Sequence, residues 1–480
     1  MVFSSLVFVF VFLVLNLLFV LISKEIKTKN IVLVVSSLIF YAWGGPKLLI
    51  LLCGMVFICY MGALLIQKEK DSGKSGKQYL VFTAILVLSL LGYFKYAGFL
   101  AYNFAAITKL AINVPNIVLP IGISFYTFQL LSYVVDVYRG EVEAQKKYWL
   151  LLLYASLFHQ CIAGPIVRYK DVAENITDRK VSIRDIGYGV SRFIVGFAKK
   201  ALLANTCALL ADTFLPMKLA SIESSSALSV LCGGIMYSFQ IYLDFSAYSD
   251  MAIGMGRMIG FHYLENFNYP YMANSITDFW RRWHMSLGSF FRDYVYIPLG
   301  GNRCSIPRHI FNMFVVWGLT GMWHGASWNY ILWGLYYFVL LILEKYVFRF
   351  SNKPIGAAKV LRHVFVLICT LFGWYLFRFE DMSMLTASLK GLFCLNGNKF
   401  VDGATTLVLS NYCFFIILAA IACTPFVTKI AAKMKKASET NVMSARIYAV
   451  CSVILPLILL FLSFISLIGD SYNPFLYSQF

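Results

Sequence analysis

Apolar runs of about 20 residues, the length of a membrane-spanning helix, recur along the chain between short basic clusters. The first, 2–22, ends at Lys24, Lys27 and Lys29; 30–43 ends at the turn Trp43-Gly44-Gly45-Pro46; 47–66 ends at Lys68, Lys70, Lys74 and Lys77. Residues 79–102 and 118–137 form the next pair, closed by Arg139, Lys146 and Lys147. Residues 148–166 are apolar but basic on both flanks, which predicts a re-entrant segment bending at Gly164-Pro165. The runs 188–213 and 227–247, an apolar hairpin at 309–344 broken near 321–328, and the runs 363–378, 405–428 and 447–468 complete the set. The runs are continuous rather than alternating, which predicts helices and excludes an outer-membrane barrel. Placing the basic loops in the cytosol gives ten or eleven spans, with both termini outside.

Composition narrows this further. Of the 480 residues, 60% are hydrophobic and 13% charged, against about 25% charged in an ordinary soluble chain. A soluble globule and a disordered chain are both excluded. The net charge of +18, from 41 Lys and Arg against 23 Asp and Glu, would suggest nucleic acid on a soluble protein. Here it reads as loop topology, and no nucleic-acid partner is expected. The 11 cysteines form no CxxC pair and read as reduced, buried small hydrophobes. The first run lacks a basic n-region and a cleavage site, so it reads as a retained span. The sequon Asn175-Ile176-Thr177 falls in a loop placed in the cytosol and carries no weight.

Only six histidines are present. His324 stands out, in Gly321-Met322-Trp323-His324-Gly325 at the broken apex of the 309–344 hairpin. Gly321 and Gly325 could be a GxxxG packing face, which explains the glycines but not an imidazole at depth. Ionisable groups inside a membrane are costly and by default functional, and an imidazole of ordinary pKa about 6.5 suits a general base.

A second constellation runs from Ser275 to Tyr294. Ser275 with Asp278 resembles a capping box. Phe279, Trp283, Leu287, Phe290 and Tyr294 share one face at helical spacing, and Asp278 lies four residues before Arg282. The pattern predicts one interfacial helix at the cytosolic surface. It reads equally as a lipid anchor or as a site for a phosphate-bearing donor, with arginine as the fork. No Walker motif, no GxGxxG, no HExxH and no metal-ligand spacing occur, so neither nucleotide hydrolysis nor a metal centre is expected. Asp244, Ser246 and Asp250 read as the capped end of the 227–247 span, with an orienting role for Asp244 and Asp278 as the other reading. His159 reads as satisfying the backbone of the re-entrant segment, and His262, His309 and His363 as structural.

Taken together, the motifs resemble the membrane-bound O-acyltransferases, of the bacterial alginate O-acetyltransferase type. The resemblance covers nearly the whole chain. It rests on Phe40-Tyr41-Ala42-Trp43-Gly44, Leu119-Pro120 to Gln129, Gly164-Pro165-Ile166 to Tyr169, Phe279-Trp280-Arg281-Arg282-Trp283-His284, Pro298-Leu299-Gly300-Gly301-Asn302-Arg303, Met322-Trp323-His324-Gly325 and the tail from Asn473-Pro474-Phe475 to Phe480. His159 departs from the family pattern, which carries proline there.

The resemblance implies an all-α polytopic fold, a ring of about 11 transmembrane helices with re-entrant segments around a central tunnel. It implies one acyltransferase domain over 1–480 with its catalytic core at about 118–344, in the cytoplasmic membrane of a bacterium. Members move an acyl group from a thioester, often acetyl-CoA, to a hydroxyl, with no bound cofactor and no metal. In the polysaccharide branch an extracytoplasmic, membrane-anchored acyltransferase or esterase-like partner completes transfer to the polymer. A D-alanyl-transferring relative uses an acyl carrier protein instead. The family's buried histidine corresponds to His324 and its second position to His284. Combined with the arginine-rich stretch, this makes His324 the expected base and His284 its assistant. Trp280, Arg281, Arg282, Trp283, Arg292 and Trp323 are then expected at the donor entrance. A transporter for a polar or lipid-linked substrate is the competing reading, weakened by the absence of repeat symmetry. A scaffold subunit for an external enzyme is the third.

Overall fold

A computed structural model describes residues 3–110, 117–161, 164–350 and 355–469. Met1, Val2, Ala163 and the tail motif from Asn473 lie outside the described residues. Every regular element among the described residues is helical. Eight helices are long and apolar enough to cross a membrane: Pro46–Asp71, Lys77–Thr108, Ile183–Phe214, Ala227–Met258, Trp328–Phe348, Ala357–Arg378, Gly403–Ala422 and Val442–Ile468. The chain is a multi-pass membrane protein. The other expected spans are shorter or more polar helices, namely Phe8–Ile22, Ile26–Ala42, Ile123–Arg139 and Ile306–His324. By length and composition alone, the count stays at eight among the described residues.

Ile123–Arg139 is short because it is central. Thirteen of its residues are buried, and it packs against Pro46–Asp71 and Lys77–Thr108. The expected re-entrant segment is a pair of short buried helices, Tyr148–Ser156 and Phe158–Cys161, broken at Leu157. Beyond it Gly164 sits so close to the preceding turn that a Cβ would come within 2.8 Å of Gln160 Cα. Among the described residues, the partner of the His159 imidazole is a side chain: its Nδ1 lies 3.2 Å from the Tyr263 hydroxyl.

The run at 227–247 continues as one helix to Met258. Asp244 is therefore in mid-helix rather than at a capped end, and it pairs with Lys200 at 2.8 Å, both side chains 1% exposed. Lys200 lies on a π-helical turn, Lys199–Ala204, where the preceding Lys199 meets Asp250 at 2.5 Å. Small residues bring the two helices together, since a Cβ on Gly189 would come within 2.6 Å of the Gly254 carbonyl oxygen. Close backbone approach through glycine is a usual basis of helix association in lipid.

The 309–344 hairpin is two helices, Ile306–His324 and Trp328–Phe348. Gly321 faces Gly334 across it, and a Cβ on Gly334 would stand 2.4 Å from the Trp317 carbonyl oxygen. The Gly334→Ala variant is expected to lose about 1–3 kcal/mol through overpacking. Gly318→Ala should be silent, because a Cβ added there would meet no atom within 4 Å. Thermal melts in detergent compare the two, and equal midpoints would refute this account of the hairpin.

Candidate functional site

The site begins at Ser275, whose hydroxyl accepts the Asp278 amide at 3.0 Å and starts the helix Ile276–Arg282. Glu344, from the second leg of the hairpin, accepts the free amides of Ile276 at 2.6 Å and Thr277 at 3.2 Å. These are orphan donors that a helix start must satisfy. Asp278 and Arg282 pair at 2.9 Å, as their spacing predicts.

The single interfacial helix expected over 275–294 is not formed. The chain breaks at His284, which adopts left-handed backbone angles of φ 44° and ψ 55°, and resumes as Met285–Phe291. Such a conformation costs about 1–3 kcal/mol for a residue other than glycine, persists only where neighbours enforce it, and clusters at functional sites. Here the enforcing neighbour is Asn266. Its carbonyl oxygen accepts the Met285 amide at 2.9 Å, and its side-chain Oδ1 accepts the Ser286 amide at 3.2 Å and the Ser286 hydroxyl at 2.9 Å. The same Oδ1 stands 3.1 Å from His284 Nδ1. An atom that only accepts calls for a proton on Nδ1, leaving Nε2 as the basic nitrogen. Nε2 has no hydrogen-bond partner among the described residues. The break thus turns His284 inward, 2% exposed, with a lone pair available.

A cavity of about 1230 Å³ opens beside this break. Trp280, Trp283 and Trp317 wall it, and His284, Thr320 and Val316 lie along its inner lining. Arg281, Arg282, Arg292, Lys345 and Arg349 are cationic lining residues, against the carboxylates of Asp278 and Glu344. Arg282 is engaged by Asp278 and Arg292 by Asp293, whereas Arg281 is exposed and makes no ion pair among the described residues. Burial would raise the Asp293 carboxyl, but Arg292 and Arg168 outweigh it and hold the group below its ordinary range. Five cations, aromatic walls and few competing acids suit a ligand carrying several negative charges.

His324 ends its helix and is 2% exposed. It does not line the cavity, which reaches Thr320, one helical turn earlier. Trp323, expected at the entrance, also stands deeper, its ring 5.7 Å from His284 and 5.0 Å from His324. Around Trp323 gathers a second aromatic group that includes Phe125, Phe128 and Phe290. Phe128 and Phe290 stack at 4.2 Å. Trp323 thus contacts both histidine rings, and of the three residues His284 lines the cavity. Asp278 remains at the cavity wall, and Asp244 is held away from it by Lys200.

Several residues of this site carry no local signal. Asn266 lies 18 residues before His284. His309, read as structural, lines the cavity and meets Tyr296, Lys345 and Tyr346 at 2.9–3.0 Å. Lys95 also reaches the inner end, from the helix Lys77–Thr108. Its one visible signal is a lone cation inside an apolar run. No cluster of three or more His, Cys, Asp or Glu that could hold a metal occurs among the described residues.

Comparison with known proteins accords with this geometry. Residues 47–379 match the model of the membrane-bound O-acyltransferase family. The chain is 37% identical over 397 residues to the "Probable alginate O-acetylase AlgI" of Pseudomonas aeruginosa, covering 82% of this chain and 75% of that one. It is 33% identical to the protein of the same name in Azotobacter vinelandii, over the full length of both. It is 34% identical over 393 residues to the "Peptidoglycan O-acetyltransferase" of Helicobacter pylori, covering 76% and 74% of the two chains. By this match over more than half of its length and these identities, the chain belongs to the membrane-bound O-acyltransferase family.

Proposed function

We propose that this O-acyltransferase takes an acetyl group from a cytosolic thioester donor of the acetyl-CoA type and delivers it toward a hydroxyl of an extracellular or cell-wall polysaccharide. The observation that carries the donor assignment is the cavity: large, walled by tryptophan and lined by five cationic side chains. Its volume of about 1230 Å³ exceeds the roughly 300–1,000 Å³ of common small-molecule sites. Phosphates would lie against Arg281, Arg282 and Arg349, with the thioester reaching inward past His284.

In the reaction, the His324 imidazole takes the proton of the acceptor hydroxyl as its oxygen attacks the thioester carbon. The tetrahedral intermediate expels the sulfur, and the imidazolium returns the proton to the departing thiolate. The carbon–sulfur bond breaks, a carbon–oxygen ester bond forms, and no redox partner is required. His284, fixed by Asn266, assists from the donor side. The hydroxyl that accepts the acetyl group in this step is that of a membrane-anchored esterase-like partner at the outer face, and ester exchange from there frees that hydroxyl and places the acetyl group on a polymer hydroxyl.

The test is incubation of the purified protein, together with its esterase-like partner, with radiolabelled acetyl-CoA and a polysaccharide acceptor. Label is expected in the acceptor as base-labile ester, and transport of acceptor without label would sink the proposal. Arg281→Ala is expected to raise the donor KM about 5- to 30-fold, the loss of one charge-assisted contact of roughly 1–2 kcal/mol, with kcat little changed. A KM equal to wild type would remove Arg281 from the donor site.

A further inference from the structure

The helix Ile306–His324 ends inside the protein, and its last carbonyl groups have no partner within the helix. Two consecutive residues of the distant helix Lys77–Thr108 supply them. Lys95 Nζ donates to the Trp323 carbonyl and the Tyr96 hydroxyl donates to the Met322 carbonyl. Lys95 also donates to the Ser124 hydroxyl at 3.1 Å, and its ammonium lies 5.8 Å from the centre of the Trp323 ring. The lysine is 8% exposed and has no carboxylate partner among the described residues, unlike the still more deeply buried Lys200.

We infer that Lys95 and Tyr96 are positioning residues, a tertiary C-cap that holds the Trp323–His324 corner and so aims the His324 imidazole. An ammonium group at a helix C-terminus is favourable through both the dipole and the open carbonyls. Nothing in packing alone calls for a lysine here, because a cation at this depth is costly and an apolar residue would fill the space. The cost is offset where the cation fixes something that an apolar side chain cannot. What it fixes is the peptide carbonyl immediately before His324. A base displaced by about 1 Å can lose on the order of 100-fold in rate, so the cap acts on turnover and not on donor binding.

This inference rests on His324 being the base, and the experiment separates the two. Lys95→Met, Lys95→Arg, Tyr96→Phe and His324→Ala are compared in purified protein with radiolabelled acetyl-CoA. Lys95→Met is expected to lower kcat at least 10-fold and leave the donor KM within 2-fold. Lys95→Arg should restore part of the loss, because guanidinium still donates to the carbonyl. Tyr96→Phe keeps its packing and should lower kcat about 3-fold, which carries the test if Lys95→Met fails to accumulate in the membrane. If His324→Ala abolishes transfer while Lys95→Met and Tyr96→Phe keep wild-type kcat, the cap is refuted and the base stands. A change in KM as large as that in kcat refutes it too. If His324→Ala itself is silent, the underlying reading fails instead.

Discussion

Replacing His324 by alanine is expected to lower acetyl transfer about 10²–10⁴-fold, the range that general-base assistance supplies. The imidazole stands among Trp323, Trp333 and Phe377, with ring centres 4.9–5.1 Å away, so alanine also leaves a hole. Large-to-small changes in such surroundings cost about 2–5 kcal/mol, and an unstable variant would imitate an inactive one. His324→Gln, closer in volume and without a useful base, should therefore lose activity to the same degree while melting nearer to wild type. Rates are to be compared at equal amounts of folded protein in detergent. Wild-type transfer by His324→Gln would remove this residue from the chemistry.

The second large effect concerns stability. Lys200 and Asp244 are both 1% exposed and 2.8 Å apart, between the helices Ile183–Phe214 and Ala227–Met258. Removing one partner strands a charge and costs about 3–5 kcal/mol, whereas replacing both by apolar residues of similar size is often neutral or better. Lys200→Met is thus expected to lower the thermal midpoint sharply. Lys200→Met combined with Asp244→Leu should recover most of it. Melts of the purified variants decide the matter, and a Lys200→Met single variant as stable as wild type would mean that Asp244 is not held by this pair. Catalysis in the double variant is expected to persist, because the pair lies outside the cavity.

The hydrophobic pattern makes most of the architecture legible, because span length and basic loops are local signals. It also marks His324, conspicuous as an imidazole in an apolar run, and the helix break after it. The break at His284 is hidden for a physical reason. Phe279, Trp283, Leu287 and Phe290 keep helical spacing across it, and all four are buried, so the periodicity survives while the backbone does not. What imposes the break is Asn266, whose bonds to His284, Met285 and Ser286 are made across a loop. The place of Asp244 is hidden likewise: its partner Lys200 is 44 residues away and reaches it only through a π-helical turn. Lys95 contacts a carbonyl 228 residues further along the chain, a separation at which no spacing rule operates.

The gap of one helical turn between the cavity and His324 has a consequence for the membrane itself. Water and ions can follow a cationic bay inward only as far as polar surface continues. Past His284 they meet Trp323, Phe125, Phe128 and Phe290, a closely packed aromatic septum. A phosphate-bearing donor of the kind proposed above would stop there, since desolvating its charge is prohibitive, whereas a two-carbon acyl arm, uncharged and narrow, would not. On the proposed reading, the wall that would sort the arm from its carrier would also keep the bilayer insulating during transfer.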